Sequence, residues 1–239
     1  MKKKVTTLYQ DPSSYNKTIT KKDYYNLINS FIKVKKIKTI LDIGCASGDF
    51  AYYLSKKINY LGLDINTALL SKAKKNNKKN NYVKFKKINL FDCDNRTFVK
   101  IKKKYSLNNF DLITLFGTLT SFSDAKIVIK RLLSLKPKYL ILHSHFNEMI
   151  NSSIKFSYVN KKKIIKGELH IISKDYLLKI LQNKYQVKFE KYKLKTKLKK
   201  NIKNLIRNYH IDFKNNKNLT TNDIGVLYQE YLVYIKSND

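Results

Sequence analysis

Long apolar runs are missing from this chain. None approaches the roughly 18–20 residues that a membrane-spanning helix needs, so no span is expected. The basic stretch MKKKVTTLYQDPSSYNKT is followed by no apolar segment and does not read as a secretory signal. Cysteine is scarce: Cys45 and Cys93 form no recognisable metal or redox spacing, which makes a reducing cytoplasm the expected compartment. Arginine occurs only at Arg96, Arg131 and Arg207, and proline only at Pro12 and Pro137. Acidic residues are few as well, 17 against 50 lysines and arginines, for a net charge of +33. Such a balance attracts phosphate backbones and acidic surfaces. Yet arginine, the residue favoured for bidentate phosphate and base contacts, is nearly absent. Lysine, asparagine and isoleucine, all abundant here, share A/T-rich codons, so composition alone accounts for the charge. No specific nucleic acid partner is expected.

What remains is a globular chain. Its 239 residues are enough for one large domain, and a hydrophobic content of 43% argues against disorder. Neither an internal repeat nor a linker interrupts it. KKDYYNLINSFIKV sets Tyr24, Leu27, Ile28 and Phe31 at helical spacing. IKTILDIG is a short apolar run ending at glycine, a buried strand. DFAYYLSKK, with Phe50, Tyr53 and Leu54, reads as a helix. NYLGLDI is a second strand, and NTALLSKAKK a helix capped by Asn66. NNKKNN is a solvated turn, YVKFKKINL a third strand and FDLITLF a fourth. DAKIVIKRLLSL is a helix with Val128, Leu132 and Leu135 in register, and KYLILHS is a fifth strand. Strand and helix in alternation predict a parallel sheet covered on both faces.

The second half differs. YVNKKKIIKGELHIIS predicts a hairpin or arm turning near Gly167. SKDYLLKILQNKY predicts a helix capped by Ser173, with Leu177, Leu178 and Leu181 inward. QVKFEKYKLKTKL alternates lysine with apolar residues from Lys191 to Leu198, a half-buried strand whose lysines face solvent. KKNIKNLIRNY predicts a helix and YQEYLVYIK a last strand, in an antiparallel edge hairpin.

Two of only six glycines, Gly44 and Gly48, stand in LDIGCASGDF, where the first strand meets a helix. In open α/β sheets ligands bind at that edge. Glycine permits a tight turn there and close approach to the backbone. A dinucleotide fingerprint requires G-x-G-x-x-G with pyrophosphate at the helix start. Here the spacing is different, and Asp49 would set a negative charge where phosphate should sit. A ligand without phosphates fits better.

LDIGCASGDF resembles the first motif of the class I S-adenosylmethionine-dependent methyltransferases, with Ala46 in place of the middle glycine. Asp64, ending YLGLD, is similar to that family's second acidic residue. VKFKKINLFD and FDLITLFGTL resemble its third and fourth segments, so the likeness spans roughly residues 37–145. It implies a single Rossmann-like α/β domain over residues 1–239, with a seven-stranded, mostly parallel sheet, one antiparallel strand, and helices on both faces. Residues 1–36 would be a helical lead-in or lid, 37–145 the cofactor-binding core, 146–172 an arm over the site, and 173–239 the late helices and edge hairpin. It implies S-adenosylmethionine as cofactor and S-adenosylhomocysteine as product. Cofactor contacts are expected at Asp42, Gly44, Cys45, Ala46 and Gly48, at Asp64 and Ile65, at Asn89 (with Asp92 as rival) and Leu90, and at Phe116. Asp64 would accept from the ribose hydroxyls, and Asp42 would hold the turn near the amino acid moiety.

The loop LFGTLT carries neither the Asp/Asn-Pro-Pro-aromatic motif nor the Pro-Cys pair of the family's base-methylating enzymes. A small-molecule or sugar-containing acceptor, methylated on oxygen, is therefore expected. The rival readings are an RNA or protein methyltransferase using the basic surface, or a non-catalytic cofactor-binding module. In HSHFNE, His145 is the first candidate for general base and His143 the second, because an imidazole can accept a proton near neutral pH. His143, His145 and Glu148 could also approach a metal, but no metal is expected. His170 and Tyr158 could line the acceptor pocket, and Tyr9 and Tyr15 could close over it.

Overall fold

The computed structural model describes residues 5–7, 24–54, 57–148, 150–160, 163–191, 209–213, 216–221 and 227–238. A short strand, β1 (Val5–Thr7), precedes helix α1 (Tyr24–Val34). Strand and helix then alternate: β2 (Thr39–Ile43), the single turn α2 (Asp49–Tyr52), β3 (Asn59–Asp64), α3 (Thr67–Asn76), β4 (Val83–Lys87), α4 (Asn95–Lys104), β5 (Leu112–Phe116), α5 (Ala125–Ser134) and β6 (Tyr139–Asn147). There follow β7 (Ser152–Asn160), β8 (Lys163–Ser173), α6 (Lys174–Leu181), β9 (Tyr185–Lys191), β10 (Tyr209–Phe213), β11 (Asn216–Thr221) and β12 (Leu227–Ser237).

The core of the sheet has the order β4-β3-β2-β5-β6-β12-β9, and in it only β12 runs against its neighbours. This is the expected seven-stranded sheet with one antiparallel member. Five further strands extend it to twelve. β7 and β8 form the arm, β1 lies parallel to β8, and β10–β11 pair onto the start of β12. The strand order reverses at β2, which has β3 on one side and β5 on the other. A crevice opens at the carboxyl ends of strands at such a switch.

Helices α4, α5 and α6 cover one face through Phe98, Val128, Leu132, Leu177 and Leu181. α1, α2 and α3 cover the other through Tyr24, Ile28, Ile32, Phe50, Leu70 and Ala73. Caps start the helices where the sequence indicates. The Asn66 side chain accepts from the amides of Ala68 and Leu69, and Ser173 from that of Tyr176.

Some expectations are corrected. α1 buries Tyr24, Tyr25, Ile28 and Ile32, while Leu27 is exposed. The stripe at 24, 28 and 32 lies against the sheet, so Leu27 falls to its side. Leu178 is likewise exposed, with Leu177 and Leu181 inward. In the arm, Asn160 pairs with Lys163 and Gly167 faces Phe156, so Gly167 lies within the ladder and not at the turn. In the antiparallel pair β9–β12 that ends the core sheet, β9 is the outer strand and β12 the inner one. β12 lies between β6 and β9, because Tyr231, Leu232, Val233 and Ile235 are apolar on both faces and all buried. NNKKNN is only partly solvated: Asn77 is buried and its amide donates to the carbonyls of Gly48 and Ala73. α4, absent from the pattern reading, is capped by Asp94 and buries Phe98. Residues 192–208, including the expected helix and most of the alternating lysine stretch, lie outside the described residues.

Candidate active site

The chain leaves β2 through three left-handed residues in five: Gly44 (φ 76°), Ala46 (φ 47°) and Gly48 (φ 71°). The amides of Gly44 and Cys45 both donate to the Leu63 carbonyl, at 2.8 and 3.0 Å. Asp64, ending β3, clamps the turn. One carboxylate oxygen accepts from the Ala46 amide at 2.9 Å and the other from the Asn66 amide at 2.8 Å. Ala46 is thus held in a conformation that non-glycine residues seldom adopt. Two lone pairs of Asp64 are committed to the turn, and a carboxylate offers about four acceptor sites. Beside it Ile65 is 50% exposed, a large apolar side chain at the ligand-binding edge.

Packing by itself requires a glycine at position 48. A Cβ there would lie 2.8 Å from Phe85, 2.9 Å from Asn77 and 3.0 Å from Ala73. The turn packs against α3 and β4 at that point. The missing Cβ of Gly44 faces the Thr118 hydroxyl in the loop after β5. Gly117, in the same loop, has a left-handed φ of 66° and, among the described residues, nothing within 4 Å of its would-be Cβ. Among the described residues, open space at this edge therefore lies by Gly117. Asp49 occupies the first turn of α2 and accepts from the Ser47 hydroxyl at 2.7 Å, a carboxylate where a phosphate would need to sit.

Asp42 does not hold the turn directly. It is 2% exposed and accepts from the hydroxyls of Tyr60 (2.5 Å) and Thr114 (2.7 Å), joining β2 to β3 and β5 beneath it. Burial raises its pKa to about 6, against the two hydrogen bonds, with the charge of Asp64 adding to the rise. Cys45 is buried, and burial with the nearby Asp42 and Asp64 charges pushes its thiol well above the ordinary range.

The loop after β4 closes on itself. Asn89 is exposed and accepts from the Asp92 amide at 3.0 Å, holding a turn, while Leu90 is buried. Arg131, buried on α5, binds that loop. Its guanidinium donates to the carbonyls of Leu90 (3.3 Å), Phe91 (2.8 Å) and Cys93 (2.7 Å) and to the Asn95 side chain (3.2 Å). Pattern reading missed this residue. The available signal was an arginine in a chain whose basic residues are otherwise almost all lysine.

At the ends of β5 and β6 the side chains become aromatic and ionisable. Phe116 meets Tyr24 and Phe50 edge-on, with ring centres at 5.4 and 5.2 Å. His143 stands beside Phe116 in the ladder and stacks on Tyr24 at 4.3 Å. His143 and His145 do share a face, and Glu230 of β12 lies between them. Its carboxylate is 3.7 Å from His143 Nε2 and 3.6 Å from His145 Nδ1. Burial pushes His145 down to about 4; Glu230 acts in the opposite direction and His143 adds to the fall. Glu148 points elsewhere, to Lys174 and the Tyr231 hydroxyl. His170 is on the arm, 3.8 Å from Glu168. Tyr9, Tyr15 and the side chain of Tyr158 lie outside the described residues. Among the described residues no helix is long and apolar enough to cross a membrane.

The sequence profile of a methyltransferase-domain family matches residues 34–191. A search of curated proteins finds no match. Among solved structures, the N-terminal domain of EvdMO1 with SAH bound superposes with a TM-score of 0.59 at 11% identity, covering 91% of this chain and 82% of that one. Magnesium protoporphyrin IX methyltransferase from Synechocystis PCC 6803, with bound SAM, gives 0.52 at 14% identity, covering 89% and 78%. An S-adenosylmethionine-dependent methyltransferase from Clostridium acetobutylicum ATCC 824 gives 0.56 at 11% identity, covering 90% and 91%.

Proposed function

The chain belongs to the methyltransferase-domain family, and on that premise we propose that it methylates an oxygen of a small molecule or sugar-containing metabolite, with S-adenosylmethionine as donor. The donor is supported by the fold, which is that of structures holding SAM or SAH. The observation that carries it is local. Asp64 ends β3, hydrogen-bonds back to the Gly44–Gly48 turn, and stands beside the half-exposed Ile65. Its remaining lone pairs suit two ribose hydroxyls, and Ile65 suits the flat face of an adenine. Asp49 at the start of α2 disfavours a phosphate-bearing ligand.

In this reading Asp64 and Ile65 hold the nucleoside, and Asn89 and Leu90 border its base. The turn from Gly44 to Gly48, with Cys45 and Ala46, forms the floor, above the buried Asp42. Phe116 and the open space by Gly117 lie toward the acceptor. When bound, S-adenosylmethionine supplies an electrophilic methyl group on a sulfonium. The protein's own contribution is alignment and proton removal. His145, uncharged at neutral pH because burial holds its pKa near 4, accepts the proton that an acceptor hydroxyl loses. The aromatic wall of Tyr24, Phe50 and Phe116 excludes water.

Titration calorimetry with S-adenosylhomocysteine tests the reading. Wild type binds, and Asp64→Asn loses roughly 10- to 100-fold in affinity, as expected for one charge-assisted hydrogen bond of about 1.5–3 kcal/mol. Ile65→Ser, at an exposed position, weakens binding without lowering the melting temperature. Wild type that fails to bind S-adenosylhomocysteine or S-adenosylmethionine overturns the reading.

A further inference from the structure

β12 is the one antiparallel strand of the core sheet, and it brings a carboxylate to a place that no local pattern announces. Its register sets Glu230 directly opposite His145 and Leu232 opposite His143. Cross-strand partners share a face of the sheet, so all three ionisable side chains lie on the face covered by α1. One oxygen of Glu230 is 3.7 Å from His143 Nε2 and the other 3.6 Å from His145 Nδ1. The Glu230 side chain is 3% exposed and the imidazoles 12% and 14%. Water therefore cannot solvate this carboxylate, and an isolated buried charge is strongly disfavoured. On the α1 side, Tyr24 stacks on His143 with ring planes 22° apart, which fixes that imidazole.

We infer that Glu230 is a positioning residue, which holds His145 as the Nδ1–H tautomer and so leaves its Nε2 as the nitrogen that takes the acceptor's proton. At 3.6 and 3.7 Å neither contact is a hydrogen bond; the carboxylate acts through its charge, which favours on each ring the tautomer whose N–H dipole points toward it. The same carboxylate faces Nε2 of His143, so the two imidazoles are held in opposite tautomers by one group. The acceptor's proton moves to His145 Nε2, and the imidazolium so formed lies against the Glu230 charge. Among the described residues, the charged groups acting on His145 are Glu230 from β12 and His143 from its own strand; Glu230 raises its proton affinity and His143 lowers it. The aromatic ring facing the cluster from α1 is Tyr24. The assignment rests on the proposed oxygen methylation for its use, and on the register and distances for its geometry.

The experiment is long-range ¹H–¹⁵N correlation NMR on the full chain with ¹⁵N-labelled histidine, across a pH titration. Wild type shows His145 as the Nδ1–H tautomer. In Glu230→Gln the amide can both donate and accept, so the tautomer population shifts toward Nε2–H. With the carboxylate charge gone, the His145 titration midpoint moves further down. A wild-type His145 in the Nε2–H form overturns the assignment without any variant. An unchanged His145 pattern in a Glu230→Gln chain that still binds S-adenosylhomocysteine overturns it as well. Loss of S-adenosylhomocysteine binding in wild type, with the Nδ1–H tautomer observed, refutes the methyltransferase use but not the positioning.

Discussion

Asp42 offers a test in which stability alone is read. Its carboxyl is 2% exposed and receives two hydroxyl hydrogen bonds. Burial outweighs those bonds, and the native pKa rises from 3.8 to about 6. Between these two values the native state holds a proton that the unfolded chain has released. Stability therefore falls as pH rises through that window, and it levels off above pH 6. At 1.36 kcal/mol for each tenfold difference in proton affinity, the loss is about 3 kcal/mol. Asp42→Asn is neutral at every pH, and the hydroxyls of Tyr60 and Thr114 can each accept as well as donate. The variant thus removes the pH term, apart from a constant offset due to altered bonding. Urea unfolding of both chains at pH 4, 5, 6 and 7 (values chosen to bracket roughly that window) reads the difference directly. From pH 4, where the unfolded carboxyl is already partly ionised, to pH 7 the variant should gain roughly 2–2.5 kcal/mol on wild type. At this chain length that is roughly 4–10 °C in melting temperature. A difference that is constant with pH would refute the reasoning, and one of opposite sign would mean the two hydrogen bonds outweigh desolvation.

Three more outcomes are expected. Gly48→Ala should destabilise the fold by about 1–3 kcal/mol through overpacking against Phe85, Asn77 and Ala73; a normal denaturation midpoint would contradict that packing. His145→Ala should leave S-adenosylhomocysteine affinity intact and lower turnover on a hydroxyl acceptor by about 10²–10⁴. Because the His145 pKa is near 4, the base stays deprotonated above it. The wild-type rate should therefore not fall until pH drops toward that value, and a steep loss near pH 6.5, the ordinary imidazole value of roughly that size, would argue against this histidine. With a net charge of +33, the protein should bind RNA only through counterion release. Filter binding should collapse between roughly 50 and 200 mM salt, and tight salt-resistant binding to one RNA would overturn the small-molecule preference.

The order β4-β3-β2-β5-β6 was legible because each strand is a short apolar run bounded by a helix, and each helix shows its period. The Gly44–Gly48 turn was legible because glycine is rare here and falls after a strand. α4 was not, since a helix ending in Lys102, Lys103 and Lys104 buries only Phe98 and leaves too thin an apolar stripe to read. The packing that requires glycine at position 48 was not legible for a related reason. Glycine marks that a Cβ is unwelcome, but which atoms would meet it depends on α3 and β4, which only the tertiary structure brings there.

The polar groups on the α1-covered face show most clearly where one-dimensional reading ends. Asp42 finds Tyr60 at a separation of 18 residues and Thr114 at 72. His143 and His145 find Glu230 only because β12 inserts antiparallel between β6 and β9. None of these partners has a fixed sequence spacing, because each is set by strand order and register. In the sequence Glu230 follows Gln229 at the polar start of an otherwise largely apolar strand, and a half-exposed edge would explain it. Inside the sheet that explanation fails, since both flanks are paired and the side chain is shut away from water. A carboxylate kept there, against the cost of desolvation and within 4 Å of two imidazoles, calls for an electrostatic reason that packing alone cannot give. Under the proposed oxygen methylation, the imidazolium formed when His145 takes the acceptor's proton supplies one.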